Sequence, residues 1–285
     1  MIAPLFALAL AKAGDGAATG AALPDGFFNF FTTPQDIISG LGWGLGYFGM
    51  PHIIIRFMSL KSEKELRKSS VIGISWTTII LIMSALTAIA GRLYLGEIED
   101  SSTVFITMVR RIFPALVSGL LLSAILSAAM STADSQLLAA SSAFASDVYK
   151  PVIRKKASDS EMLWAGRIVV IVIAIVALFI ASDPNSGSIM GLVENAWGVF
   201  GASFGPVILL SLFWKRLTFG GTVAGIAVGA AVDILWLVFL SSTDIYEIVP
   251  GFAAGLLAAV VVSLLSKGPG KDVEDLFDRA VDLKS

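Results

Sequence analysis

The stretch Pro34 to Met58 reads PQDIISGLGWGLGYFGMPHIIIRFM, and its punctuation decides the fold. A hydrocarbon slab of about 30 Å takes roughly 20 residues of α-helix, so this apolar stretch is long enough to cross one. It holds Gly40, Gly42, Gly44, Gly46 and Gly49, followed at once by Pro51 and His52. Glycine costs a helix about 1 kcal/mol relative to alanine, and proline removes a backbone donor and clashes with the preceding turn. The sequence therefore predicts a membrane helix interrupted between Gly46 and Pro51. Open backbone at membrane depth is tolerated where protein buries it or where it lines a cavity, so the break marks a candidate binding site. Glycine at spacing four also serves close helix packing, the plainer reading. Trp43, Tyr47 and Pro51 shift the balance, because they recur every four residues and set an indole, a phenol and the helix breaker along one face. That face would offer a small amphipathic solute an apolar wall with two polar tips.

Working outward, the whole chain reads as an all-α membrane protein. Its residues are 56% hydrophobic and 15% charged, with a mean hydropathy of +0.83, whereas soluble domains carry about a quarter charged residues. Breaks at charge clusters and Gly/Pro turns leave about seven spans: 34–58, 69–95, 113–147, 161–181, 189–214, 219–240 and 248–266. None alternates as a barrel strand does. Between Leu95 and Phe113, Ser101 to Arg111 mixes polar and apolar residues as a short helix outside the membrane would. Met1 to Ala13 is apolar but short, without a signal peptide's basic start, and reads as the end of a helix begun earlier. Residues 1–285 then form a single transmembrane domain, with 267–285 a short cytoplasmic tail whose segment from Lys271 onward has amphipathic spacing around Leu276, Phe277 and Val281.

Lysine and arginine set the orientation. Lys61, Lys64, Arg67 and Lys68 fall in one loop, Lys150, Arg154, Lys155, Lys156 and Arg167 in another, then Lys215 with Arg216, and Lys267. Seven alternating spans put all of these on one side. Asp15, Asp25, Glu97, Glu99, Asp100, Asp183, Asp244 and Glu247 fall opposite, with Arg110 and Arg111 as exceptions. The expectation is a multi-pass protein of the cell membrane, in contact with lipid, with its C-terminus in the cytoplasm.

The third span places Ser127, Ser131, Thr132, Asp134, Ser135, Ser141 and Ser142 in otherwise apolar sequence. The hydroxyls of Ser131 and Thr132, with the carbonyl of Ala128 one turn earlier, are hard oxygen ligands of the kind small cations take. Ser and Thr more often bond back to their own helix, a reading that is strong for Ser141 and Ser142. Asp134 at membrane depth could supply charge near a cation, relay a proton or pair with a basic group. Glu194 to Trp197, ahead of a glycine-rich run, reads as a second irregular helix start or as a packing feature. Without cysteine and with one histidine, the chain offers no thiolate or multi-histidine metal site. No nucleophile elbow, phosphate loop or dinucleotide fingerprint accompanies His52, so neither an enzyme nor an organic cofactor is expected. A net charge of -2 gives no pull toward nucleic acid.

At Gly42 to Met58 (GWGLGYFGMPHIIIRFM), Ala128 to Leu138 (AAMSTADSQLL), Ser146 to Lys150 (SDVYK) and Gly198 to Trp214 (GVFGASFGPVILLSLFW), the sequence resembles the sodium/solute symporters, most closely the bacterial sodium/proline symporters. The resemblance implies a leucine-transporter-like fold of two inverted five-helix repeats, this chain being the second repeat plus two additional helices. It implies a symporter importing proline with sodium as co-substrate; the alternatives are a symporter for another small solute, or a membrane sensor or scaffold. It places Trp43, Tyr47 and Pro51 in the substrate site and Ala128, Ser131 and Thr132 in the sodium site, with Ser135 where some relatives have a second polar cation contact. Family members have further helices before this stretch, including one that completes both sites, so the chain is expected to be a fragment that needs those N-terminal helices.

Overall fold

The computed structural model describes residues 2–13, 23, 25–27, 29, 33–183 and 186–282. Among the described residues every regular element is helical: α1 (Ile2–Ala13), α2 (Pro34–Gly46), α3 (Pro51–Met58), α4 (Glu63–Leu95), α5 (Val104–Ile112), α6 (Ala115–Ala143), α7 (Asp159–Ser182), α8 (Ile189–Phe213), α9 (Phe219–Phe239), α10 (Ile248–Leu265) and α11 (Lys271–Asp282). Six helices, α4 and α6 to α10, are long and apolar enough to cross a membrane. The seventh span expected, Pro34 to Met58, is present as two pieces, α2 and α3. Asp15, assigned above to one side of the membrane, lies outside the described residues.

Element ends follow local chemistry. Phe113, expected to open the third span, is instead extended (φ -109°, ψ 148°), as the residue before Pro114 should be, so α6 starts at Ala115. Its far end widens into a π-helical segment over Phe144–Ile153, where Pro151 lacks an N–H and Arg154 N–H reaches back to Tyr149 O at 2.8 Å. α4 begins at Glu63, earlier than Ser69, because the charged turn continues the helix although it does not continue the apolar run. The expected short helices at Ser101 to Arg111 and from Lys271 onward are α5, led by a 3-10 turn, and α11.

The chain divides into two compact units. The first holds residues 1–29 and 60–170. Its core packs Ala3 and Ala7 of α1 against Ala90, Tyr94 and Leu95 of α4 and Met108 and Val109 of α5. Gly91 lets Val104 approach α4, since a Cβ there would overlap the valine side chain. Ser118 closes the α5–α6 corner by donating to Val109 O and Phe113 O at 3.1 and 3.0 Å. Elsewhere α4 and α6 turn large apolar side chains such as Leu81 and Leu120 outward, as a lipid solvent permits.

The second unit holds residues 30–59 and 171–285, built on α8, α9 and α10 with α2 against α8. Gly221, Gly225, Gly229 and Asp233 are buried along one stripe of α9, and Gly251, Gly255, Ala259 and Ser263 along one of α10. Spacing by four puts each set on one face, and small residues let backbones close in. A Cβ on Gly225 would sit 2.9 Å from Ala259 Cβ and 3.1 Å from Gly255 O. The stripe ends at the start of α9, where Thr218 Oγ1 accepts from Gly221 N–H and Ser263 Oγ accepts from Thr218 N–H, both at 3.1 Å. α8 runs unbroken through Gly198 and Pro206, so Glu194 to Trp197 is no irregular start. The helix begins earlier, where Ser188 Oγ accepts from Gly191 N–H at 3.0 Å.

Candidate functional site

The break in the second unit is assembled from the residues that predict it. α2 starts on a capping box: Thr33 Oγ1 accepts from Asp36 N–H, and the Asp36 carboxylate accepts from Thr33 N–H, each at 3.2 Å. It stops at Gly46. The next turn tightens, with Phe48 N–H donating to Leu45 O at 3.3 Å and Gly49 N–H to Gly46 O at 3.0 Å. Met50 is extended (φ -79°, ψ 115°) ahead of Pro51, which opens α3.

Stopping a helix frees carbonyls that must find donors. In an uninterrupted helix Trp43 O would accept from the N–H of residue 47, but the Tyr47 N–H bonds to Leu45 O. Trp197 of α8 supplies the replacement, its indole Nε1 donating to Trp43 O at 3.0 Å. Gly46 makes room, since a Cβ there would overlap the Trp197 ring, and a Cβ on Gly49 would sit 2.8 Å from Gly201 Cα. The rings around the break are Trp43, Tyr47, Trp197 and Tyr246. Trp43 lies 6.1 Å from Trp197 and 5.5 Å from Tyr246, and Tyr47 meets Trp197 edge-on at 4.9 Å. Tyr246 is tied down through its N–H to Ser39 Oγ (3.0 Å) and its hydroxyl to Glu194 O (2.8 Å).

Of the three residues expected along one face, Trp43 and Tyr47 share Trp197 as a neighbour. Pro51 lies beyond the break and starts a separate helix, so the spacing of four does not extend to it as one continuous face. Tyr47 is 53% exposed, Pro51 is exposed and Trp43 half-buried. The Tyr47 phenol is thus accessible, edge-on to a Trp197 ring whose hydrogen bond to Trp43 O holds it in place.

In the first unit, Ala128, Ser131, Thr132 and Ser135 occupy one turn and its neighbour on α6, all exposed, with no break in the helix. Thr132 Oγ1 donates to Ala128 O at 3.2 Å and Ser135 Oγ to Thr132 O at 2.9 Å. A hydroxyl that gives its hydrogen to the helix keeps its lone pairs for another partner. Ser141 bonds back to Leu138 O, as expected. Asp134 is exposed on the same helix. Among the described residues no group of three His, Cys, Asp or Glu is placed to hold a metal ion.

Two features escaped the sequence reading. Trp197 caps the break, and its signal was an indole one residue before a glycine-rich run. Asp233 continues the glycine stripe of α9 into the fully buried interior, and its signal was an acidic residue four positions after Gly229.

A model of the sodium:solute symporter family matches residues 11–229. The high-affinity proline transporter PutP of Bacillus subtilis is 44% identical over 96% of this chain and 59% of its own length. The osmoregulated proline transporter OpuE of the same organism is 44% identical over 85% of this chain and 50% of its own. A sodium/proline symporter of Haemophilus influenzae is 45% identical over 91% and 54%. The chain thus spans about half the length of the curated relatives it matches. On this similarity and the helical membrane architecture, the chain belongs to the sodium:solute symporter family.

Proposed function

We propose that the chain is part of a symporter that imports proline on the sodium gradient. The observation behind this reading is the interrupted helix at Tyr47 to Met50, with its freed Trp43 carbonyl capped and its aromatic side chains gathered around it. Interrupted helices are where secondary transporters bind solute. Relatives named as proline transporters supply the solute. In this reading Trp43, Tyr47 and Pro51 contact proline, and Ala128 O, Ser131 Oγ and Thr132 Oγ1 contribute to a sodium site, with Ser135 beside them. Two hydroxyls and one carbonyl are fewer than the six or so oxygens a hard cation gathers. Helices beyond this chain's half of the family length therefore complete both sites, in a fold of two inverted repeats. The C-terminus faces the cytoplasm, on the side of the Lys/Arg-rich loops. Sodium favours the outward-facing state with a formed pocket, and rocking of the bundle releases both cargoes inward.

The test is uptake of labelled proline by membranes carrying the whole gene product, with and without sodium. Trp43→Ala, Tyr47→Ala and the double variant Ser131→Ala with Thr132→Ala should each lower uptake at least tenfold. Uptake indifferent to sodium, or unaltered in all three variants, rejects the assignment.

A further inference from the structure

In the second unit, beyond the aromatic break, a pair of carboxyl groups is buried with three of their four oxygens unpartnered among the described residues. Asp233 of α9 is fully buried, and Glu247, which precedes α10, is 8% exposed. Both Asp233 oxygens and Glu247 Oε1 are buried and have no hydrogen-bond partner among the described residues. The two side chains converge on Gly198 of α8. A Cβ there would lie 3.1 Å from Asp233 Oδ1 and 3.3 Å from Glu247 Oε1, so the missing side chain leaves a space that both oxygens face.

Among the described residues no cation pairs with these charges. The described ion pairs are Arg92 with Glu97, Arg154 with Glu161 and Lys215 with Asp278, none of which involves this cluster. α8 adds a further carboxylate, Glu194, and the segment before α10 adds Asp244 and Tyr246; α2 presents the neutral hydroxyl of Ser39. Glu194, Asp244, Tyr246, Ser39, Trp236 and Glu247 line a cavity of about 240 Å³, so Glu247 stands between that cavity and the sealed Asp233. Burial above all pushes the Glu247 carboxyl up from the ordinary carboxylate range; a hydrogen bond from its own backbone N–H opposes this, and the negative charge of Glu194 adds to it.

Two ionised carboxylates cannot share a buried space at low cost; a proton between them removes one charge and supplies one missing hydrogen bond. A metal cation would ask for more oxygens, and among the described residues no third acidic or histidine ligand is in place. We propose that Asp233 and Glu247 together bind a proton over Gly198, exchanging it through the cavity lined by Glu194. The site is separate from the residues given roles in solute and sodium binding, and the proposal stands whether or not the chain transports proline.

The experiment is infrared difference spectroscopy of the full 285-residue chain in phosphatidylcholine–phosphatidylglycerol vesicles, stepped in pH. The expected result is a protonated-carboxyl C=O band that persists above the pH at which exposed carboxyls ionise. Asp233→Asn and Glu247→Gln keep the side-chain shape, and each should move the loss of the remaining carboxyl's band to lower pH, because the like charge facing it is gone and the amide can donate to it. Glu194→Gln should keep the band and move its loss to lower pH, because the charge opposing Glu247 ionisation is gone. Exchanging sodium for choline at fixed pH should leave the band unaltered. A wild-type chain without the band, a band whose loss neither amide variant moves, or a band erased by sodium at constant pH overturns the proposal.

Discussion

The indole N–H of Trp197 donates to the carbonyl of Trp43 at 3.0 Å, across 154 residues of sequence, and takes the place of a helical bond that the break removes. Packing and backbone satisfaction are therefore joined in one side chain. Trp197→Phe keeps an aromatic ring beside Tyr47 and deletes the donor together with the pyrrole half of the indole. Leaving that carbonyl unpaired costs about 1–3 kcal/mol, so the thermal midpoint in lipid should fall. Proline uptake should fall with it if the break shapes the pocket. An unchanged midpoint would mean that another donor serves Trp43.

The glycines divide into two classes by their surroundings. A Cβ on Gly229 would overlap Ala202 O, whereas one on Gly73 of α4 or Gly119 of α6 would meet nothing within 4 Å. Gly229→Ala should destabilise by about 1–3 kcal/mol through overpacking of α8, α9 and α10. Gly73→Ala and Gly119→Ala should instead stabilise, by up to about 1 kcal/mol each, and raise the midpoint, since alanine is the better helix former. Opposite signs within one set of thermal scans are the check.

That contrast also separates what the sequence discloses from what it hides. The break between α2 and α3 is legible because Gly46, Gly49 and Pro51 act on their own backbone, and the apolar spans because bilayer thickness sets their length. The role of Trp197 is not legible: it depends on a carbonyl on another helix. Nor is the burial of Asp233, which follows from Gly198, Gly229 and Gly251 bringing three helices together around it. Glu247 reads in sequence as one more loop acid on the outer side, yet it is nearly sealed. The hydroxyls of α6 were visible as a polar cluster, but whether each donates to its own helix is a matter of rotamer, and rotamers leave no mark on residue spacing.

Lys215 reaches Asp278 of α11 at 2.6 Å, both side chains partly exposed. The hydrogen bond from the ammonium to that carboxylate raises the lysine above its ordinary value of 10.5. A raised lysine contributes fully below the ordinary value and loses the contribution as pH climbs past it. Asp278→Asn should therefore speed amide exchange in α11 at neutral pH while leaving the global thermal midpoint unaltered. High salt should erase the difference between variant and parent, and so should a pH high enough to deprotonate the raised lysine.

Thr132 provides the sharpest test of the cation reading, because its two substituents can be removed separately. Its hydroxyl hydrogen goes to Ala128 O at 3.2 Å, leaving oxygen lone pairs for an ion, while its methyl group has no ligand atom to offer. Thr132→Ser keeps the oxygen and should hold the half-saturating sodium concentration for proline uptake within about twofold. Thr132→Val keeps the shape and deletes the ligand. Losing one oxygen from a small-cation site at a cost of about 1.4 kcal/mol or more raises that concentration at least tenfold, with proline binding at saturating sodium little altered. If serine and valine fall together, the methyl group and not the oxygen is what transport requires, and α6 has no sodium ligand at this position.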